Sequence, residues 1–291
     1  MGPVPPTPLL DVPALRALLA RDDPRRRGPR SPIVLDVRWR LGDAHGAAAY
    51  ADGHVPGAAY VDLPTDLAGP VAPDGRGGRH PLPDPDRLAE ALRRVGVEDG
   101  RPVVVYDDWA GRAAARAWWL LRWLGHGDVR VLDGGWSAWV AAGGEVERTA
   151  TAERPSRGGS FTPRPGAMPV ADAAEVARGD AVLVDARDEP RYAGRHEPVD
   201  AVAGHVPGAV NVPTGANLDD EGRFLPAAQL QETYARAGAL AGAPVVAYCG
   251  SGITACHDLL ALEVAGVPGA LYAGSWSDWV SDPARPVARD D

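Results

Sequence analysis

Four segments of this chain occur twice, in the same order, and that repetition limits its fold more than any other feature. Ile33-Val34-Leu35-Asp36-Val37-Arg38 returns as Val182-Leu183-Val184-Asp185-Ala186-Arg187. Gly53-His54-Val55-Pro56-Gly57-Ala58 returns as Gly204-His205-Val206-Pro207-Gly208-Ala209. Pro102-Val103-Val104-Val105-Tyr106-Asp107 returns as Pro244-Val245-Val246-Ala247-Tyr248-Cys249, and Gly135-Trp136-Ser137-Ala138-Trp139-Val140 as Ser275-Trp276-Ser277-Asp278-Trp279-Val280. The separations are nearly constant and domain-sized, so the chain carries a duplicated domain and not a solenoid. Its 291 residues are enough for two cores.

Each copy alternates short apolar runs with helical patterns. Pro102–Tyr106 and Pro244–Tyr248 have the length and continuous apolarity of buried strands. Arg112–Leu124 and Thr254–Ala265 follow as helices that stop at Gly125 and Gly266. Val129–Leu132 and Ala270–Tyr272 read as the next strands. Strand, helix, strand in that order implies right-handed crossovers. The expected class is therefore α/β, each copy a mostly parallel sheet with helices on both faces. We place the first domain at residues 7–145, a Gly/Pro/Ser/Thr/Arg-rich linker at 146–165 and the second domain at 166–285.

Composition removes several function classes. All thirty basic residues are arginine, so a Schiff-base lysine and a P-loop lysine are both excluded. The net charge of −9 argues against a nucleic-acid partner. No apolar run approaches the ~18 residues of a membrane span, and the first residues lack the order of a secretory leader, so a cytoplasmic protein is expected. Two cysteines are too few for a disulfide framework, and the seven histidines lack zinc-ligand spacing. No metal or organic cofactor is implied.

Chemistry concentrates in Cys249-Gly250-Ser251-Gly252-Ile253-Thr254, between a strand and a helix. Ligands of open α/β sheets bind beyond the C-terminal ends of strands. Two glycines let the backbone turn its N–H groups inward as an anion nest, and the helix adds the positive end of its dipole. A cysteine at the head of such a loop is expected to ionise readily. The same donors would stabilise a persulfide anion. A structural cysteine needs no loop shaped around it, so Cys249 is the candidate nucleophile. Cys256, about two helical turns on, reads as core packing. A cysteine-headed anion loop also serves protein phosphatases, but their clamping arginine, six residues after the cysteine, is Ala255 here.

These residues, with the duplicated His-Val-Pro-Gly-Ala segments and the Asp133-Gly134-Gly135-Trp136 and Gly274-Ser275-Trp276 segments, resemble the tandem-domain rhodaneses over nearly the whole chain. The resemblance implies a sulfurtransferase that carries sulfur as a persulfide on Cys249. Its donor is a small anion, and its acceptor is a thiol such as thioredoxin, or cyanide. It implies a monomer whose first domain is inactive, since Asp107 stands where the second has Cys249. The loop is more similar to the Cys-Gly-Ser-Gly-Val-Thr of 3-mercaptopyruvate sulfurtransferases than to the Cys-Arg-Lys-Gly-Val-Thr of thiosulfate sulfurtransferases. Gly250, Gly252, Ile253 and Thr254 are then donor-binding residues by resemblance. Arg191 matches the family arginine for the donor carboxylate. A second family arginine is absent after Glu197-Pro198-Val199-Asp200, with Arg195 as a possible substitute. The family also joins the loop serine to a histidine and an aspartate. Ser251 and His80 match. The aspartate position is Pro64, with Asp62 and Asp66 two residues to either side, and Asp62 is the candidate. His54 and His205 recur in both copies, the cysteine-free one included, and read as structural turn residues. A non-enzymatic sulfur carrier or partner-binding module is the rival reading.

Overall fold

The computed structural model describes residues 7–20, 31–42, 45–149, 158–240 and 242–290. It divides into two compact units, residues 1–67 with 83–167, and residues 68–82 with 168–291. Segment 68–82 thus lies within the first copy by sequence but belongs to the second unit. The expected linker also differs. Positions 150–157 lie outside the described residues, but 158–167 belong to the first unit. Phe161 is 1% exposed there, its carbonyl accepts from Arg93 Nε at 2.8 Å, and Arg164 N–H donates to the Leu124 carbonyl at 2.7 Å. One buried aromatic outweighs a loop-like composition.

In the first unit, strands β1 (Leu9–Leu10), β2 (Ile33–Asp36), β3 (Ala59–Tyr60), β4 (Val103–Tyr106) and β5 (Val129–Leu132) form one sheet in the order β1-β5-β4-β2-β3, all pairs parallel. In the second, β6 (Val170–Ala171), β7 (Val182–Asp185), β8 (Val210–Asn211), β9 (Val245–Tyr248) and β10 (Gly269–Tyr272) repeat it as β6-β10-β9-β7-β8, again all parallel. Every residue of β4 and β9 is buried, as a strand covered on both faces requires. One face of β4 is shared by Val104 and Tyr106, which cluster with Leu15 and Trp139. Val103 and Val105 point the other way and are equally buried.

The helices after the central strands span Arg112–Trp123 and Ala255–Val264, within one residue at each end of the ranges read from sequence. Residues 255–262 are all buried. Trp118 and Trp119 lie inside the first unit, consistent with packing.

Several polar features are duplicated with the fold. Arg38 pairs with Asp36 at 2.6 Å and lies over the Trp136 ring at 4.9 Å; Arg187 pairs with Asp185 at 2.6 Å and lies over Trp276 at 4.7 Å. His54 stacks on Tyr50 and His205 on Tyr192, each with ring centroids 3.9 Å apart. Each histidine Nδ1 also lies within 2.9 Å of its partner's carbonyl. No described helix is long and apolar enough to cross a membrane.

Candidate active site

Strand β9 ends at Tyr248 and delivers Cys249 to the floor of a tight loop, 1% exposed. The Cys249 and Gly250 carbonyls accept from Trp276 N–H at 2.9 Å and Ser277 N–H at 3.0 Å, so the segment after β10 fixes the loop's entry. The loop then curls over the sulfur. Gly252 N–H donates to Cys249 Sγ at 3.1 Å and Ser251 N–H at 3.4 Å. These donors stabilise negative charge on sulfur. Gly252 has φ +79°, and a Cβ there would lie 2.3 Å from the Ala273 carbonyl oxygen, so only glycine closes this turn. Cys256 donates from Sγ to the Gly252 carbonyl at 3.4 Å and is fully buried.

Ser275 braces Cys249 from the segment after β10. Its Oγ accepts from Cys249 N–H at 3.0 Å, contacts the Tyr272 carbonyl at 3.0 Å and lies 3.9 Å from Sγ. It does so from the left-handed region, at φ +55°, where a non-glycine residue is strained.

Segment 68–82 supplies further groups to the second unit. Gly77 N–H donates to Asp278 Oδ1 at 2.8 Å and Arg79 N–H to Ser277 Oγ at 3.1 Å. Gly78 lies so close to the Gly274 carbonyl that a Cβ would approach it to 2.3 Å. This seating brings His80 Nδ1 to 2.9 Å from Ser251 Oγ, both residues at most 9% exposed. It also brings Arg79 to the loop. A Cβ on Gly250 would meet Arg79 Nη2 at 3.0 Å and Arg191 Nη1 and Nη2 at 3.5 Å. Two guanidinium groups therefore flank a loop whose own sequence carries no charge.

Arg191 pairs with Glu197 through Nε at 3.1 Å and Nη2 at 2.7 Å, and its Nη2 lies 3.2 Å from Asp200. Arg79 pairs with the other oxygen of Asp200. Against the opposing pull of burial, hydrogen bonds from Arg191 and from the backbone N–H groups of Asp200 and Val199 hold the Glu197 carboxyl below its ordinary value. Asp200 moves the other way: burial pushes it up, with Arg79 opposing.

Arg195 is exposed and pairs with Glu189. Asp62 belongs to the first unit, where its carboxylate accepts from Thr65 Oγ1 at 2.7 Å and Tyr60 OH at 3.3 Å. Asp66, also in that unit, pairs with Arg94 at 2.5 Å. Ile253 is buried, and Thr254 opens the helix Ala255–Val264. Sequence reasoning passed over Arg79, Ser275 and Asp200. Arg79 adjoins the chosen His80; the repeat sets Ser275 against Gly135, but the left-handed backbone at both positions is visible only in the structure.

The rhodanese-like domain family matches residues 15–142 and 171–282. A Pseudomonas aeruginosa protein named for 3-mercaptopyruvate sulfurtransferase activity is 49% identical over 269 residues, spanning 89% of this chain and 93% of its own length. A Mycobacterium tuberculosis protein, SseB, named for thiosulfate sulfurtransferase activity, is 45% identical over 268 residues, 88% of this chain and 90% of its own. Among solved structures, the 3-mercaptopyruvate sulfurtransferase SseA of Escherichia coli superposes with a TM-score of 0.77 at 30% identity, covering 93% of this chain and 99% of that one. The repeat read from the sequence, the paired parallel sheets and these matches agree: the chain belongs to the rhodanese-like family and carries two copies of its domain.

Proposed function

We propose that the chain is a sulfurtransferase that moves sulfur from 3-mercaptopyruvate to a thiol acceptor or cyanide, with Cys249 as the carrier. The observation that carries this reading is the pairing of a sulfur cradled by two backbone N–H groups with two guanidiniums beside Gly250. The cradle suits an anionic sulfur. The arginines suit a carboxylate two carbons away from the reacting thiol.

In this mechanism the Cys249 thiolate attacks the donor's sulfur. The S–S bond forms as the carbon–sulfur bond breaks. The electron pair leaves on carbon as the enolate of pyruvate. The thiol proton ends on that carbon, so pyruvate departs and Cys249 holds a persulfide anion. The Ser251–His80 pair stands ready to relay this proton, and Ser251 and Gly252 N–H groups hold the charge on sulfur. An acceptor thiolate, such as that of a small thiol or thioredoxin, then takes the outer sulfur and restores the Cys249 thiolate. Cyanide accepts it as thiocyanate.

Thiosulfate is the second reading. Guanidiniums at Gly250 offer a dianion the charge that the loop residues lack, and the SseB relative is named for it. The two donors separate in one assay. Thiocyanate formation is measured with each, alongside pyruvate release from mercaptopyruvate. The expected result is a higher kcat/KM for mercaptopyruvate, with Arg191→Ala and Arg79→Ala raising its KM and Arg195→Ala changing it least. A wild-type preference for thiosulfate would overturn the donor assignment and leave the sulfurtransferase.

A further inference from the structure

The two arginines beside the nucleophile's loop already hold an anion that belongs to the chain. One oxygen of Asp200 pairs with Arg79, and the other lies 3.2 Å from Arg191 Nη2. The same two guanidiniums are those a side chain on Gly250 would strike. The Asp200 side chain is only 5% exposed, so its charge is directed inward at the arginines and not at solvent. The turn that presents it is fixed independently. Val199 and Asp200 N–H groups each donate to Glu197 Oε1 at 3.0 Å, and Glu197 is itself held by Arg187 at 3.3 Å and Arg191 at 2.7 Å. Rotation of the Asp200 side chain would therefore withdraw its carboxylate from both arginines, Arg191 keeping its pair with Glu197, without moving the backbone beneath it.

We propose that Asp200 is an internal competitor, whose carboxylate occupies the Arg79–Arg191 pair in the donor-free enzyme and must be displaced by the donor's own carboxylate. This rests on the reading of those arginines as the donor-carboxylate site. It makes Asp200 a specificity determinant. A tethered anion competes at high effective concentration, so an incoming anion must match both guanidiniums to win. Monoatomic and singly contacting anions do not. A planar carboxylate does, because it engages two guanidiniums with two oxygens.

The test is Asp200→Asn, which keeps the shape and removes the competing charge. Pyruvate is titrated calorimetrically into wild type and variant. The variant should bind it about tenfold more tightly, since a like charge no longer sits within a few ångström of the ligand. The kcat/KM for 3-mercaptopyruvate should rise by a similar factor, carried by KM. Pyruvate binding that is equal or weaker in the variant overturns the proposal and makes Asp200 a brace that aims the arginines. Asp200→Ser carries the same comparison if the asparagine variant does not fold. Pyruvate binding requires no sulfur transfer, so the two readings fail separately. A wild type inert with every donor, but with a variant that binds pyruvate more tightly, removes the donor assignment and keeps the competitor. Turnover of mercaptopyruvate with unchanged pyruvate affinity in the variant does the reverse.

Discussion

At the end of β4, Asp107 stands where Cys249 stands at the end of β9, and the two loops treat their occupants differently. Asp107 is fully buried and accepts four backbone N–H bonds: Trp109 and Gly111 on Oδ1, both at 2.8 Å, and Ala113 and Ala114 on Oδ2, at 2.7 and 2.9 Å. Burial pushes its carboxyl up, and these four bonds oppose that push. Cys249 Sγ accepts two such bonds, both longer. The surroundings match closely. Trp136 N–H donates to the Asp107 carbonyl at 2.8 Å, as Trp276 N–H does to the Cys249 carbonyl at 2.9 Å. The comparison teaches that the duplicated strand–loop–helix is an anion cradle in both copies. In the first a carboxylate fills it with four N–H bonds; in the second a cysteine sulfur sits in it with two.

The most severe test of that contrast is Cys249→Ser. Oxygen cannot carry a persulfide, so turnover should drop to background while the far-ultraviolet circular dichroism stays that of the wild type. Intact mass after donor treatment should show one added sulfur on wild type, mapped to Cys249, and none on the variant. Sulfur found on Cys256 instead would break the assignment of roles within the second loop.

The first loop is probed by Asp107→Asn. An amide presents its own N–H groups to two of the four donors, so two bonds become repulsions. The loss should be about 3 kcal/mol in urea denaturation, the scale of buried donors left unsatisfied. A loss near zero would mean that the carboxylate does not hold the loop, and the parallel between the cradles would fail.

A smaller effect is expected from Ser275→Gly, which gives the second unit the residue that the first has at Gly135. The glycine relieves the backbone at φ +55° but removes the hydroxyl from Cys249 N–H. Stability should stay within about 1 kcal/mol of wild type, because relief and loss are of similar size. Turnover should fall about tenfold, the equivalent of one hydrogen bond at the nucleophile. A variant that is destabilised and fully active would make Ser275 a structural residue only.

The smallest effect concerns Glu197, which joins the duplicated Arg187–Asp185 pair in the second unit. Its folded value lies below the ordinary 4.5. Its pairs therefore add stability that is present above about 4.5 and is lost as pH falls through the lower folded value. Glu197→Gln should flatten the acid side of the stability curve in that window. A wild-type curve as flat as the variant's would show that Arg191 and the backbone N–H groups do not outweigh burial.

The sequence by itself determined the duplication, the α/β class, the strands and helices around each loop, and Cys249 as the candidate nucleophile. These are properties of local periodicity and of residues whose chemistry has few alternatives. A run such as Val245–Tyr248 is apolar on both faces whatever surrounds it. Its glycine-rich continuation can only serve a turn. Ser251 and His80 were joined through the family resemblance, but their 2.9 Å approach depends on segment 68–82 joining the second unit, which no local pattern announces. The tertiary structure alone set Arg79 and Arg191 beside Gly250, turned Arg195 outward to Glu189, and placed Asp200 between the two arginines. Charged side chains on irregular loops carry no periodic signal. Where their long, flexible stems aim the charge is decided by the tertiary fold, so only the folded chain shows which arginines lie beside the loop and which carboxylate each one meets.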